Sequence, residues 1–243
     1  MIEHARTEPD PGRPAALALE GLARRFGGVR AVDGLDLVVE PGRVVGLIGP
    51  NGSGKSTTLD LIGGQTRPDA GRIRLAGRDV TDLPAAARAR LGLARTFQHA
   101  RVFERSSLIG NLRAAGADRA TARRLLAEAG LADRAGDLAG TLSHAERRRL
   151  ELARAAAARP AVLLMDEPAS GLAPGEVDDL RARILALAAA GTAVLLVEHL
   201  MALIMEICDR IAVLDFGIRI AEGTPAEIRD DPAVRRAYLG EAA

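Results

Sequence analysis

Eight consecutive residues, Gly49-Pro50-Asn51-Gly52-Ser53-Gly54-Lys55-Ser56, match the pattern G-x-x-x-x-G-K-[ST]. Glycines at Gly49, Gly52 and Gly54 let the main chain wrap closely, so that successive N–H groups and the start of a following helix point at a triphosphate. Lys55 is the chain's only lysine, although arginine is abundant. In such a loop its ammonium reaches the β and γ phosphates, while Ser56 offers a hydroxyl oxygen to Mg²⁺ and Thr57 stands next for a phosphate contact. The chemistry written here is that of a nucleoside triphosphate bound with Mg²⁺.

A second cluster supplies the acids. Val162-Leu163-Leu164-Met165 is an apolar run that stops abruptly at Asp166-Glu167. Two carboxylates therefore emerge at the carboxyl end of a buried strand, the edge where open α/β sheets bind ligands. Asp166 suits a Mg²⁺ contact, and Glu167, projecting differently, could orient and polarise an attacking water.

These residues need a scaffold, and the hydrophobic pattern describes one. Leu17 to Leu22 and Leu35 to Val39 read as antiparallel strands, with turns at Gly27-Gly28 and Pro41-Gly42. Arg43 to Ile48 is a short apolar run that meets the glycine-rich loop, and Lys55 to Ile62 has helical periodicity. Between Leu83 and Ala158 the text is rich in Ala, Leu and Arg at helical spacing, with strand text confined to Leu93 to Phe97. Alternation returns with strands over Ala161 to Met165, Thr192 to Val197 and Ile211 to Leu214, and with helices over Gly175 to Ala189 and Met201 to Cys208. The expected fold is α/β: a mostly parallel phosphate-loop NTPase core, an N-terminal antiparallel β-subdomain and an inserted helical subdomain over about residues 100–158. Residues 1–15 are expected to be a disordered leader, and 16–243 one domain.

Bulk properties exclude other classes. The 243 residues are 48% hydrophobic, enough for one large core, and 33 basic side chains balance 32 acidic ones to a net charge of +1. No basic tract or acidic tail is present, so nucleic acid is not an expected partner. The single cysteine, Cys208, is expected to be a buried thiol in a reducing compartment. The longest mostly apolar run, Ile184 to Val197, is too short to span a bilayer, and a soluble cytosolic chain is expected.

The remaining motifs, in order from Leu17 to Tyr238, resemble those of the ATP-binding cassette family. That resemblance implies a role for Gln98 as the hinge glutamine that contacts Mg²⁺ or water, and for His199 as the switch histidine that holds the γ-phosphate. It makes Phe26 the aromatic that stacks on adenine. Leu142-Ser143-His144-Ala145-Glu146 occupies the place of the family's signature, which reaches across a head-to-tail dimer to the partner's ATP through Ser143, Ala145 and Glu146. The same Ser143-x-x-Glu146 spacing is also that of a helix capping box, and both readings can hold.

Within the family, Arg95-Thr96-Phe97-Gln98-His99, Arg101-Val102-Phe103 and the tail Ala237-Tyr238-Leu239-Gly240-Glu241 look like ATP-binding subunits of branched-chain amino acid importers. The segment from Glu198-His199 to Tyr238 fits that subgroup as well. The resemblance implies a second cassette, transmembrane permease subunits, an indirect solute-binding protein, and a place on the inner face of the cell membrane. Two departures stand out: Ala145 replaces the signature's last glycine, and Ala173 replaces an aspartate in the loop that couples the two ATP sites. They favour a heterodimer. Leu200 stands where the subgroup carries Asp, and the stretch from Asn111 to Ala127 is short for it. The alternatives are a soluble cassette ATPase without transport and a slow-hydrolysing regulatory cassette.

Overall fold

The computed structural model describes residues 14–98 and 100–239. Most of the expected leader, together with His99, Gly240 and Glu241, lies outside the described residues, as does the side chain of Tyr238.

In chain order, β1 (Leu17–Phe26) and β2 (Val29–Val39) form a hairpin, followed by β3 (Val44–Ile48), α1 (Lys55–Gly63), β4 (Ala70–Leu75) and β5 (Arg78–Asp79). Then come α2 (Ala85–Arg90), β6 (Leu93–Arg95), α3 (Leu108–Ala114), α4 (Arg119–Glu128) and α5 (His144–Ala157). The chain returns through β7 (Val162–Asp166), α6 (Pro174–Ala189), β8 (Ala193–Val197), α7 (Met201–Ile207), β9 (Arg210–Asp215), β10 (Ile218–Gly223), α8 (Pro225–Asp230) and α9 (Pro232–Leu239).

Two sheets result. One is antiparallel, in the order β2-β1-β4-β5; the other runs β10-β9-β3-β8-β7-β6 and is parallel except for β10. The antiparallel sheet contains β4 and β5, which the hydrophobic pattern does not reveal: β4 reads Ala-Gly-Arg-Ile-Arg-Leu, with few apolar residues. The strand before Gln98 ends at Arg95, two residues short of expectation, although Thr96 still donates its N–H to Leu164 O of β7.

The parallel strands read as continuous apolar runs because both faces are covered. Period-two alternation sends Val45, Leu47, Leu164, Leu195 and Leu214 into the core shared with β1, β2 and α1. Val44, Ile48, Leu163, Leu196 and Val213 point the other way, against α6 and α7. Cys208 is buried on that second face, as expected. A third core, built on Leu108, Leu112, Leu126 and Leu150, joins α3, α4 and α5. Each buried leucine is worth about 2 kcal/mol. Among the described residues, no helix is long and apolar enough to cross a membrane.

The helical stretch expected from Leu83 onward is split. Its first helix, α2, belongs with the sheet core: the fully buried Arg88 donates to Leu61 O at 2.6 Å, Ile62 O at 2.7 Å, Thr81 O at 2.8 Å and Leu83 O at 2.8 Å. Two of those carbonyls belong to the last turn of α1, where a cation suits the helix dipole. Removing the guanidinium strands buried acceptors, so Arg88→Met is expected to lower stability by at least about 2 kcal/mol. Chemical denaturation of the full chain measures this, and an unchanged midpoint would refute it.

Candidate nucleotide site

The C-terminal ends of four adjacent parallel strands carry the candidate residues. The glycine-rich loop follows β3, Glu198 and His199 follow β8, Asp166 and Glu167 end β7, and Gln98 follows β6.

The loop has the shape an anion needs. Gly49 has φ 152° and Gly54 φ 105°; a Cβ on Gly49 would stand 2.1 Å from Leu214 O, and one on Gly54 2.2 Å from Ala31 O. Only glycine fits either position. No side chain caps the N-terminus of α1, and its first turn holds no acid, which leaves its amides directed outward for phosphate. Ser53 O accepts from Gly217 N–H at 3.0 Å, and Gly217 O accepts from Asp33 N–H at 2.9 Å, so the turn between β9 and β10 pins the loop to β2.

Lys55 is 6% exposed, and its ammonium donates to Gly49 O at 2.7 Å and Pro50 O at 2.8 Å. Burial lowers its pKa, opposed by the nearby charges of Glu167 and Asp166. A buried cation at the mouth of a ring of amides fits a triphosphate. The oxygen donors of Ser56, Gln98 and Asp166 are the hard set that Mg²⁺ prefers. Ser56 is exposed on the first turn of α1, which packs against β7.

The two acids have different surroundings. Burial raises the pKa of Asp166, while Arg95, bonded to it at 3.2 Å, lowers it. Arg95 also holds Asp60 of α1 at 2.6 Å. The next residue turns away: Glu167 has φ 45°, a left-handed conformation that side-chain-bearing residues rarely adopt, locked by its N–H on Val197 O at 2.8 Å. Its carboxylate accepts from Gln98 Nε2 at 2.8 Å through Oε2 and meets His199 Nε2 at 2.9 Å through Oε1. Gln98, Glu167 and His199 thus form one chain of contacts.

Phe26 lies at the end of β1, 49% exposed, with the Arg24 guanidinium 4.8 Å from its ring centre and fixed in turn by Asp69 at 2.7 Å. A half-exposed ring can still receive a base.

At α5, Ser143 accepts from Glu146 N–H at 3.3 Å and donates its own N–H to the Glu146 carboxylate at 2.8 Å, a complete capping box. Ala145 is only 9% exposed and lines the crevice between α5 and α6 with Leu172 and Leu180, so it presents little surface outward. Ala173 has no side-chain acceptor for the amides of α6 and keeps only the reciprocal bond, its N–H on Glu176 at 2.8 Å.

Three contributors were not identified from sequence. Arg95 braces Asp166 and is itself held by Asp60, and the buried Glu198 accepts from Ala169 N–H at 2.6 Å and His199 N–H at 3.0 Å, joining the end of β8 to the loop after Glu167. An acid immediately before His199 was the one available signal.

The cap at α5 allows two measurements. Ser143→Ala is expected to cost about 1 kcal/mol of stability. The pKa of Glu146 is lowered, first by the Ser143 N–H and also by Arg134 at 2.8 Å. A depressed acid contributes stability that is complete above the ordinary carboxylate pKa, about 4.3, and lost as pH falls through the depressed value. Denaturation between pH 7 and pH 3 should therefore show a falling limb that Glu146→Gln flattens; an unaltered limb would refute the assignment.

The chain is similar to known proteins along most of its length. The family model described as ABC transporter matches residues 32–170, and a model described as branched-chain amino acid ATP-binding cassette transporter matches residues 219–243. The chain is 42% identical to the high-affinity branched-chain amino acid transport ATP-binding protein BraF of Pseudomonas aeruginosa and 40% identical to LivG of Escherichia coli, over 93% of this chain and 98% of each relative. It is 38% identical to the lipopolysaccharide export system ATP-binding protein LptB of Escherichia coli, with the same coverage. The crystal structure of the ADP conformation of an ATP-binding cassette of an ABC transporter superimposes with a TM-score of 0.85 at 29% identity, covering 93% of this chain and 99% of that one. With the phosphate loop, the paired acids and the strand order in place, the chain belongs to the ABC transporter family, as an ATP-binding and ATP-hydrolysing cassette.

Proposed function

We propose that this chain powers a membrane importer of branched-chain amino acids or related small polar solutes by ATP-driven cassette dimerisation. The observation that carries the enzymatic part is the Glu167 carboxylate, held between Gln98 and His199 beside the buried Lys55. The solute class rests on the likeness to BraF and LivG and on the match over residues 219–243.

In this reading the ring of Phe26 takes the adenine, and the amides of the loop from Gly49 through Pro50, Asn51, Gly52, Ser53 and Gly54 enclose the phosphates. Lys55 leaves the loop carbonyls for the β and γ phosphates, with Thr57 beside it. Ser56, Asp166 and Gln98 would hold Mg²⁺, which when bound would neutralise charge on the phosphate oxygens. Glu167 accepts the proton of the attacking water, and His199 keeps the carboxylate aimed and faces the γ-phosphate.

Ser143, Ala145 and Glu146 serve the ATP of a second cassette, and a heterodimer is favoured because Ala145 and Ala173 depart from the family pattern. The half-exposed Phe103, stacked under Arg154 at 4.6 Å and close in sequence to Gln98, offers a docking point for permease subunits. The chain then works in the cytoplasm on the inner face of the membrane, with a solute-binding protein on the far side. A second reading, the motor of an exporter, draws on the 38% identity to LptB. Solute uptake against lipid release in vesicles carrying the whole complex separates the two.

Two outcomes are expected. Glu167→Gln should bind ATP yet lose turnover by about a hundredfold or more, accumulating ATP-bound dimers; turnover at the unsubstituted rate would remove Glu167 from this role. Substituting the signature serine of each cassette in turn should give unequal losses of ATPase rate, and equal losses would discard the asymmetric heterodimer.

A further inference from the structure

The signature turn and the glutamine that touches Glu167 are connected by a buried ion pair. Arg148 and Glu151, one turn apart on α5, have side chains only 2% and 6% exposed and meet at 2.6 Å. The pair grips the segment that carries Gln98: Arg148 donates to Phe97 O at 2.7 Å and Gln98 O at 2.6 Å, and Glu151 accepts from Arg101 N–H at 3.0 Å and Phe97 N–H at 3.4 Å.

We propose that the Arg148–Glu151 pair is a positioning device for Gln98, fastening its main chain to the helix whose first turn holds Ser143 and Glu146. This rests on the reading of the site given above. Four hydrogen bonds to three residues of one short loop are more than a surface brace supplies, and they remove the slack between α5 and the strand end at Arg95. The guanidinium fork is essential to the arrangement, because one planar group serves two successive carbonyls and a carboxylate at once. Displacement of the first turn of α5 therefore moves Phe97 and Gln98 with it, and through Gln98 Nε2 it moves the Glu167 contact. A nucleotide engaged at Ser143 is thereby sensed at Glu167 within the same chain. Burying two charges for packing alone is a poor bargain, since an apolar pair of similar volume serves as well or better.

The test is kinetic, on the full chain in its transporter complex. Arg148→Lys keeps the charge but loses the fork, and it is expected to lower kcat about tenfold while KM for ATP stays within about twofold. Glu151→Gln should lower kcat in the same way, and it carries the test if the lysine variant fails to fold. The deciding measurement is a double-mutant cycle with Gln98→Ala: if the pair acts through Gln98, Arg148→Lys in that background should change kcat by less than about twofold. Additive losses, unsubstituted kcat in both single variants, or a fall in kcat matched by equal falls in ATP affinity and melting temperature would each overturn the inference. Should the unsubstituted complex itself fail to hydrolyse ATP, the proposed function falls first, and the inference with it.

Discussion

The site depends on one carboxylate being held from two sides. Glu167 cannot aim itself: it sits in a left-handed backbone conformation that costs on the order of 1–3 kcal/mol, and it is kept there by a main-chain bond to β8. Gln98 and His199 then fix its two oxygens separately. Because those partners come from opposite sides of β7 in the sheet, the carboxylate can be correctly placed only if β6, β7 and β8 keep their parallel register. The chemistry thus sets a requirement on the sheet, and the two-sided apolar burial of its strands meets it.

Arginine provides most of the long-range bracing around that sheet. Arg88 closes the end of α1, Arg95 spans Asp60 and Asp166, and Arg148 reaches the Gln98 segment. In each case a guanidinium serves several acceptors that a single ammonium could not reach together. Lysine is confined to Lys55, where a compact charge on a flexible stem meets the loop carbonyls of Gly49 and Pro50.

Much of this was legible in the sequence. The phosphate loop is a local motif, and its neighbours β3 and α1 follow within a residue of the pattern because Val44–Ile48 is uniformly apolar and Gly64 stops the helix. Asp166 and Glu167 were legible for the same reason, at the end of an apolar run. What could not be read was non-local. The strand β4 alternates arginine with isoleucine and leucine and becomes a strand only by pairing with β1. The bridge from Arg95 to Asp60 spans 35 residues and that from Arg148 to Gln98 spans 50, and no spacing rule connects such positions. Helix α2 shares the composition of the helical insertion expected over about residues 100–158, and the carbonyls that Arg88 reaches tie it to the sheet core.

The turn at Gly217 has a thermodynamic consequence. By taking Ser53 O and giving its own carbonyl to Asp33, it fastens the middle of the phosphate loop to two strands that belong to different sheets. Ordering a flexible loop of this length on arrival of a ligand would cost about 1 kcal/mol or more per residue. Here that entropy is already lost when the sheets assemble, so nucleotide affinity is not discounted by a folding step.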